Sequence, residues 1–441
     1  MKDIVVLLLA AGDSNRMWPI GDKHFLEFAG KPLIYHCLSQ LYRWGFRNFV
    51  IVANSENKSN FHDFKSIFKD ANISLIVQTD KKGMAGAILT AKKFIIGKRV
   101  LVVGPSDIYE DLLLSEFKRM IVSSPDGIIT GITMDTYFPG GYLDVSGGKV
   151  SGISEKPHPS ALPSNIVTFV FDYFKNANLL ISALEKIGVD KDDCFEKSLD
   201  LMIKKGNIFR LLHYKGFWGY LKYPWHVLNV TSYYLDNLEI NKMKNVVIDK
   251  SATISGKVYL GENVRILENA KFVGPAFIGP GCVIGNNSIV RESMIGSSCV
   301  IGFGCEIARS HIGDSCWFHS NYVGDSVISD NVSLGAGSVL ANFRLDEGII
   351  KSRVGKDTVD TGKIKLGSVI GENVRIGVNV SIMPGVKIGK NSFVGAGVVL
   401  DCDLPENKYC VLEKKRYTIK DNLLEIPKGN RSKQREKLKF S

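Results

Sequence analysis

The sequence predicts two folds in one chain: an α/β domain with a Rossmann-like sheet over residues 1–244, then an all-β parallel β-helix over 245–404, with a basic arm at 405–441. Two observations carry this. Before about residue 245, short β-branched runs alternate with helical patterns, the mark of a mostly parallel, doubly wound sheet. After it, an aliphatic or aromatic residue recurs every six positions. At 441 residues the chain exceeds the roughly 250–300 residues at which a single core stops growing, so two or three domains are expected.

In the first half, strands are expected at 4–9, 49–53, 75–78 and 100–103, with helices at 33–44, 61–69 and 85–96. Beyond Pro125 the strands crowd together, at 127–133, 142–145, 149–153 and 166–171. Helices follow at 177–186, 195–205 and 225–238. Ligands of open α/β sheets bind at the carboxyl ends of the strands, which singles out the loops beginning at Ala10 and Gly104.

The second half runs Ile248, Ile254, Leu260, Ile266, Phe272, Ile278, Ile284, Val290, then after steps of five Ile295, Ile301, Ile307, Ile312, Phe318 and onward to Leu340, with a last set from Ile370 to Leu400. Neither helix nor strand has a six-residue period. A hexapeptide β-helix does: each hexad is one short strand and a turn, and three hexads close a triangular coil. Residues 341–369 break the rhythm, and an excursion between coils is a candidate for function or a tolerated surface insertion.

Composition sets bounds. Gly 43 against Pro 14 fits many tight turns rather than a disordered linker. The net charge is +11, and residues 428–441 hold six Lys/Arg against one Glu. No nucleic-acid module accompanies that charge, and phosphorylated substrates account for it equally well. The eight cysteines form no CxxC pair and point to reduced cytosolic thiols. The apolar start is about eight residues long, short for a secretion signal and better explained as a buried strand. Nothing spans a bilayer, so a cytoplasmic protein is expected.

Several motifs bear chemistry. Ala10, Ala11 and Gly12 follow a buried strand, where small residues let backbone N–H groups approach phosphate. Arg16 and Lys23 supply cations, ahead of Gly30-Lys31-Pro32. This order resembles sugar-1-phosphate nucleotidylyltransferases. The resemblance implies that Gln78 and Gly83 read a uracil or thymine edge and that Asp107 holds Mg²⁺. It also implies that Glu155 and Lys156 contact a sugar phosphate and Asn165 the sugar. Departures are Ser14, Asn15 and Met84, and above all Tyr220 at the place of a second metal ligand. A phenol is a poor partner for Mg²⁺.

In the repeat region, His319 and Tyr322 form an HxxY, Asn342 stands at the mouth of the excursion, and Lys351 lies inside it. This set resembles the acetyltransferase half of bifunctional uridylyltransferase/glucosamine-1-phosphate acetyltransferases, above all those of archaeal type, over about residues 1–425. The resemblance makes the β-helix left-handed and His319 the general base. Asn342 would orient the amine or stabilise the oxyanion, and Lys351, or Arg309, would pair with the sugar phosphate. It implies acetyl-CoA, a sugar-1-phosphate and a nucleoside triphosphate (UTP or dTTP) as substrates, and a homotrimer. His311 is expected to be structural. Two other readings stay open: an acetyltransferase whose nucleotidyltransferase half is degenerate, and a non-enzymatic subunit sensing nucleotide or sugar.

Overall fold

The computed structural model describes residues 1–412 apart from 81–82, 124, 192 and 241–243. Of the basic arm expected at 405–441, residues 413–441 lie outside the described residues, whereas Tyr409–Cys410 still joins a face of the β-helix, beyond the expected boundary at 404. The chain forms two compact units. One joins residues 1–13 to 32–220; the other joins 14–31 to everything from Leu221 onward. The texture of the sequence changes at 245, whereas the packing divides at Tyr220.

The first unit is built on a ten-stranded mixed sheet. Its parallel heart is Ile4–Ala10 between Asn48–Ala53 and Arg99–Val103, with Asn72–Val77 at the edge. The near-continuous apolar runs expected there are buried except at Leu9, which is partly exposed, as a sheet covered on both faces requires. Antiparallel strands extend the sheet beyond Arg99–Val103, beginning with Phe171–Phe174. The expected strand at 166–171 is two strands, Ile166–Thr168 and Phe171–Phe174, and they occupy different places in the sheet. The expected helix at 85–96 breaks into Gly83–Thr90 and Lys92–Ile95. Only Phe64–Ile67 of the expected helix at 61–69 is α-helical. The helix Asp111–Met120 and the strand Phe209–Tyr214 had no counterpart in the sequence reading.

The second unit contains three parallel sheets of nine, eight and seven short strands, the three faces of a β-helix. Each residue of the six-step series meets its equivalent one coil on: Ile284 pairs with Ile301, which pairs with Phe318, and Val290 pairs with Ile307, which pairs with Val323. These side chains form one apolar column, with Ile284, Val290, Ile301 and Ile307 each 0% exposed. Only the first coil leaves members open, Ile248 at 39% and Ile254 at 40%. Turns between faces need left-handed backbone, and asparagine fills many of them, including Asn263, Asn269, Asn287, Asn331 and Asn373. Asparagine tolerates that region better than most residues. Inside the column, free thiols stack: the amide of Cys299 donates to Cys282 Sγ at 3.3 Å, and that of Cys316 to Cys299 Sγ at 3.4 Å.

The excursion at 341–369 carries an antiparallel hairpin, Lys351–Val354 with Asp357–Asp360. It is a packed body: Ile350 and Leu366, both buried, close over Trp225 together with Tyr223, Leu228, Val354 and Val359. The helix His226–Asp236 follows that tryptophan.

The column sets an expectation for stability. Ile307→Ala is expected to lower the unfolding free energy by about 2–5 kcal/mol, through lost burial and a residual cavity. The outward Thr253→Ala is expected to change it by about 0.5 kcal/mol or less. Denaturant melts of the two variants check this.

Candidate functional site

In the first unit, the loop after Ile4–Ala10 is held from behind. Asn57 Nδ2 donates to Ala10 O at 2.9 Å and Asn54 Nδ2 to Ala11 O at 3.4 Å. Gly12 has nothing within 4 Å of a would-be Cβ, so its backbone stands open. Gln78 is buried, its amide donating to Ala53 O at 2.8 Å and its Nε2 to Gly83 O at 3.4 Å. Lys156, at positive φ, pairs with Glu155 at 2.8 Å, and its amide donates to Gly140 O. Asn165 is exposed and its carbonyl accepts from Met134 N at 2.9 Å. Arg16, exposed, and Lys23 belong to the second compact unit. Lys23 Nζ donates there to Leu221 O at 3.3 Å.

Asp107 opens the short strand Asp107–Tyr109, which pairs antiparallel with Trp218–Tyr220, so that Tyr220 is its direct register partner. The indole Nε1 of Trp218 donates to Asp107 Oδ1 at 3.0 Å. Phe138 packs edge-on against both Trp218 and Tyr220, and Phe169 stacks on Trp218. Burial raises the Tyr220 phenol above its ordinary range, so it stays protonated and offers no anionic oxygen. Among the described residues no group of three His, Cys, Asp or Glu is placed to cage a metal ion. This donor set, one carboxylate beside a neutral phenol, suits Mg²⁺ that is held mainly by substrate phosphates, as that ion commonly is.

In the second unit, three residues of the reading converge at one corner. The strands Glu306–Ala308, Tyr322–Gly324 and Val339–Leu340 are consecutive on one face. Arg309, Asp325 and the residue pair 341–342 therefore leave that face at the same corner. Arg309 forks onto Asp325 with two bonds of 2.7 Å, a charge-assisted pairing that raises the guanidinium above its ordinary value. Asn342 Nδ2 donates to Asp325 Oδ2 and, at 3.1 Å, to the Tyr322 hydroxyl. Asp325, the hub, was not singled out in the sequence. Nearby, Lys363 donates to Asn229 Oδ1 at 2.8 Å, and burial lowers its ammonium below the usual range, against the opposing pull of Asp325. Lys351 is exposed at the start of the hairpin.

His319 stands at the other end of the same face, in the turn between Trp317–Phe318 and Tyr322–Gly324. Its ring is exposed and tilted against Trp317 at 6.1 Å, and its amide donates to Asn321 Oδ1. A three-residue strand separates this turn from the corner of Asn342, roughly 10 Å at about 3.3 Å per residue. His311, by contrast, is buried and bonds to Thr231 Oγ1 at 2.9 Å.

The comparisons agree with this architecture. Residues 5–218 match the Nucleotidyl transferase family and residues 367–402 the Bacterial transferase hexapeptide (six repeats) family. The fold and the two matching families define a two-part transferase: a nucleotidyltransferase domain joined to a left-handed β-helix of hexapeptide repeats. A relative in Sulfurisphaera tokodaii, "Bifunctional sugar-1-phosphate nucleotidylyltransferase/acetyltransferase", is 33% identical over 90% of this chain and 97% of its own length. "Bifunctional protein GlmU" of Methanococcus vannielii is 27% identical over 96% of this chain and 99% of its own. The chain belongs to the family of bifunctional sugar-1-phosphate nucleotidylyltransferase/acetyltransferase enzymes. Among the described residues no helix is long and apolar enough to cross a membrane.

The histidines around the corner imply a pH dependence. Burial, aided by Lys363 and Lys222, lowers His226 to about 3, and burial lowers His311 to about 4. Both are neutral in the fold, while the unfolded chain takes up protons below the ordinary 6.5. Stability is therefore complete above that value and falls as acid is added toward the folded values. Thermal melts are expected to drop across this window, and to drop less steeply in His311→Gln.

Proposed function

We propose that the second unit acetylates glucosamine-1-phosphate, or a related amino sugar phosphate, with acetyl-CoA. The first would transfer a nucleotidyl group from UTP or dTTP to the acetylated product. The corner where Asn342, Tyr322, Asp325 and Arg309 are bonded to one another supports the first step most directly. An imidazole is suited to take the amine proton, and the exposed His319 is given that role. The amine nitrogen attacks the thioester carbonyl, the C–N bond forms, the C–S bond breaks and coenzyme A leaves as the thiol. Arg309 and Lys351 are given the sugar phosphate. His319 and Asn342 lie at opposite ends of one face, so we assign the complete site to the seam between copies, one lending its imidazole turn and the next its amide corner. A homotrimer of β-helices provides three such seams.

For nucleotidyl transfer, Mg²⁺ when bound supplies charge neutralisation on the phosphates. The chain's own work is positioning. The open backbone at Gly12 cradles phosphate, Gln78 and Gly83 read the base, and Asp107 fixes the phosphate-bound ion. Glu155, Lys156 and Asn165 receive the sugar phosphate. Tyr220 opposite Asp107 favours a second reading, in which this half is weakened and the protein is chiefly an acetyltransferase.

Two assays separate these readings. Acetyl-CoA and glucosamine-1-phosphate are expected to yield free thiol. UTP, N-acetylglucosamine-1-phosphate and Mg²⁺ are expected to yield pyrophosphate. Thiol without pyrophosphate establishes the second reading, and silence in both leaves a sensing subunit. His319→Ala is expected to abolish thiol release alone and Asp107→Ala pyrophosphate release alone; joint loss in either variant contradicts two separate sites.

A further inference from the structure

One carboxylate at the acetyl-transfer corner has no part in the roles assigned above. Asp325 is 7% exposed and sits at φ 49°. Its Oδ1 accepts from Arg309 Nε and its Oδ2 from Arg309 Nη2, each at 2.7 Å. Oδ2 accepts a third bond, from Asn342 Nδ2. The other hydrogen of that NH₂ group goes to the Tyr322 hydroxyl at 3.1 Å. A side-chain amide has two N–H donors and one carbonyl acceptor, so both donors of Asn342 are spoken for. What Asn342 can present to a substrate is its carbonyl, Oδ1.

The local backbone is shaped for this arrangement. A Cβ on Gly324 would lie 2.6 Å from both Asn342 Nδ2 and the Tyr322 hydroxyl. Only glycine between Val323 and Asp325 lets the amide and the phenol meet.

We propose that Asp325 is the positioning residue of acetyl transfer. It turns the Asn342 amide so that Oδ1 accepts an N–H of the substrate amine, and it holds Arg309 by one edge of its fork. Oδ1 then steers the nitrogen lone pair toward the thioester carbonyl while the imidazole takes the proton. Of the two roles the sequence leaves to Asn342, this geometry selects orientation of the amine. An amide whose N–H groups are both committed does not donate to an oxyanion. The chemical class recognised is a primary amine beside a phosphate, since an N–H donor must meet Oδ1 and an anion the remaining edge of Arg309.

The inference rests on the acetyltransferase reading, so the unmodified protein is assayed first, with glucosamine-1-phosphate and acetyl-CoA. Absence of thiol release there overturns that reading itself. With turnover established, Asp325→Asn is expected to lower kcat about tenfold or more and to raise KM for the sugar phosphate. KM for acetyl-CoA is expected to stay within about twofold. In an Asn342→Ala background the same change is expected to lower kcat by less than about twofold more, because both residues reach the amine through one amide. Wild-type kcat in Asp325→Asn, or kcat losses that multiply independently, overturns the proposal. Should Asp325→Asn fail to fold by circular dichroism, Tyr322→Phe removes only the second anchor of the amide. A kcat reduced about threefold with an unchanged melt supports the proposal, and an unchanged kcat overturns it.

Discussion

Parallel stacking of equivalent residues, one coil above the next, is the constraint on which the second unit depends. The inward side chains of each face meet their counterparts across hydrogen-bonded strands, and burial of that column is the dominant favourable term. The same repeat that satisfies the core lines up whatever stands at the corners. Arg309 and Asp325, sixteen residues apart, leave one face at the same corner. A charged fork and an amide therefore meet without any helix or loop to bring them there. Among the described residues the chain leaves the prism between coils only at Asn342, and the departure is the excursion that Trp225, Ile350 and Leu366 pack into a body.

The first unit follows another logic. Its parallel strands are buried on both faces and deliver open backbone at the carboxyl end of the first, at Gly12. A Cβ at Gly104 would lie 2.6 Å from Asp107 Oδ2, so the turn and the carboxylate are fitted to each other. The aromatic set of Phe138, Phe169, Trp218 and Tyr220 surrounds that carboxylate with apolar surface and one indole donor.

Sequence reading was strongest where a period was enforced by burial. The six-step rhythm placed nearly every inward residue of the β-helix, and the apolar runs at 4–9 and 100–103 marked the central strands. It failed where the chain changes direction under tertiary control. The strand Phe209–Tyr214 carries no clean alternation, and the run at 166–171 hides the break at Phe169–Val170 that sends its halves to different places. Asp325 was missed for a related reason. Its importance lies in partners on neighbouring coils, and the signal available, polar residues recurring at one corner every sixteen or seventeen positions, appears only after the coil is drawn. His319 and Asn342 stood out in the sequence as candidates, yet their placement at opposite ends of a face did not.

The thiols of Cys282, Cys299 and Cys316 lie inside the prism at intervals of one coil. Because each donates its S–H to a carbonyl of the coil that follows, at 3.0, 3.2 and 3.3 Å, a reagent reaches a given sulfur only when that neighbouring turn has lifted away. The column thus works as a built-in depth gauge: the sequence in which the three sulfurs are alkylated reports the end from which the solenoid unwinds.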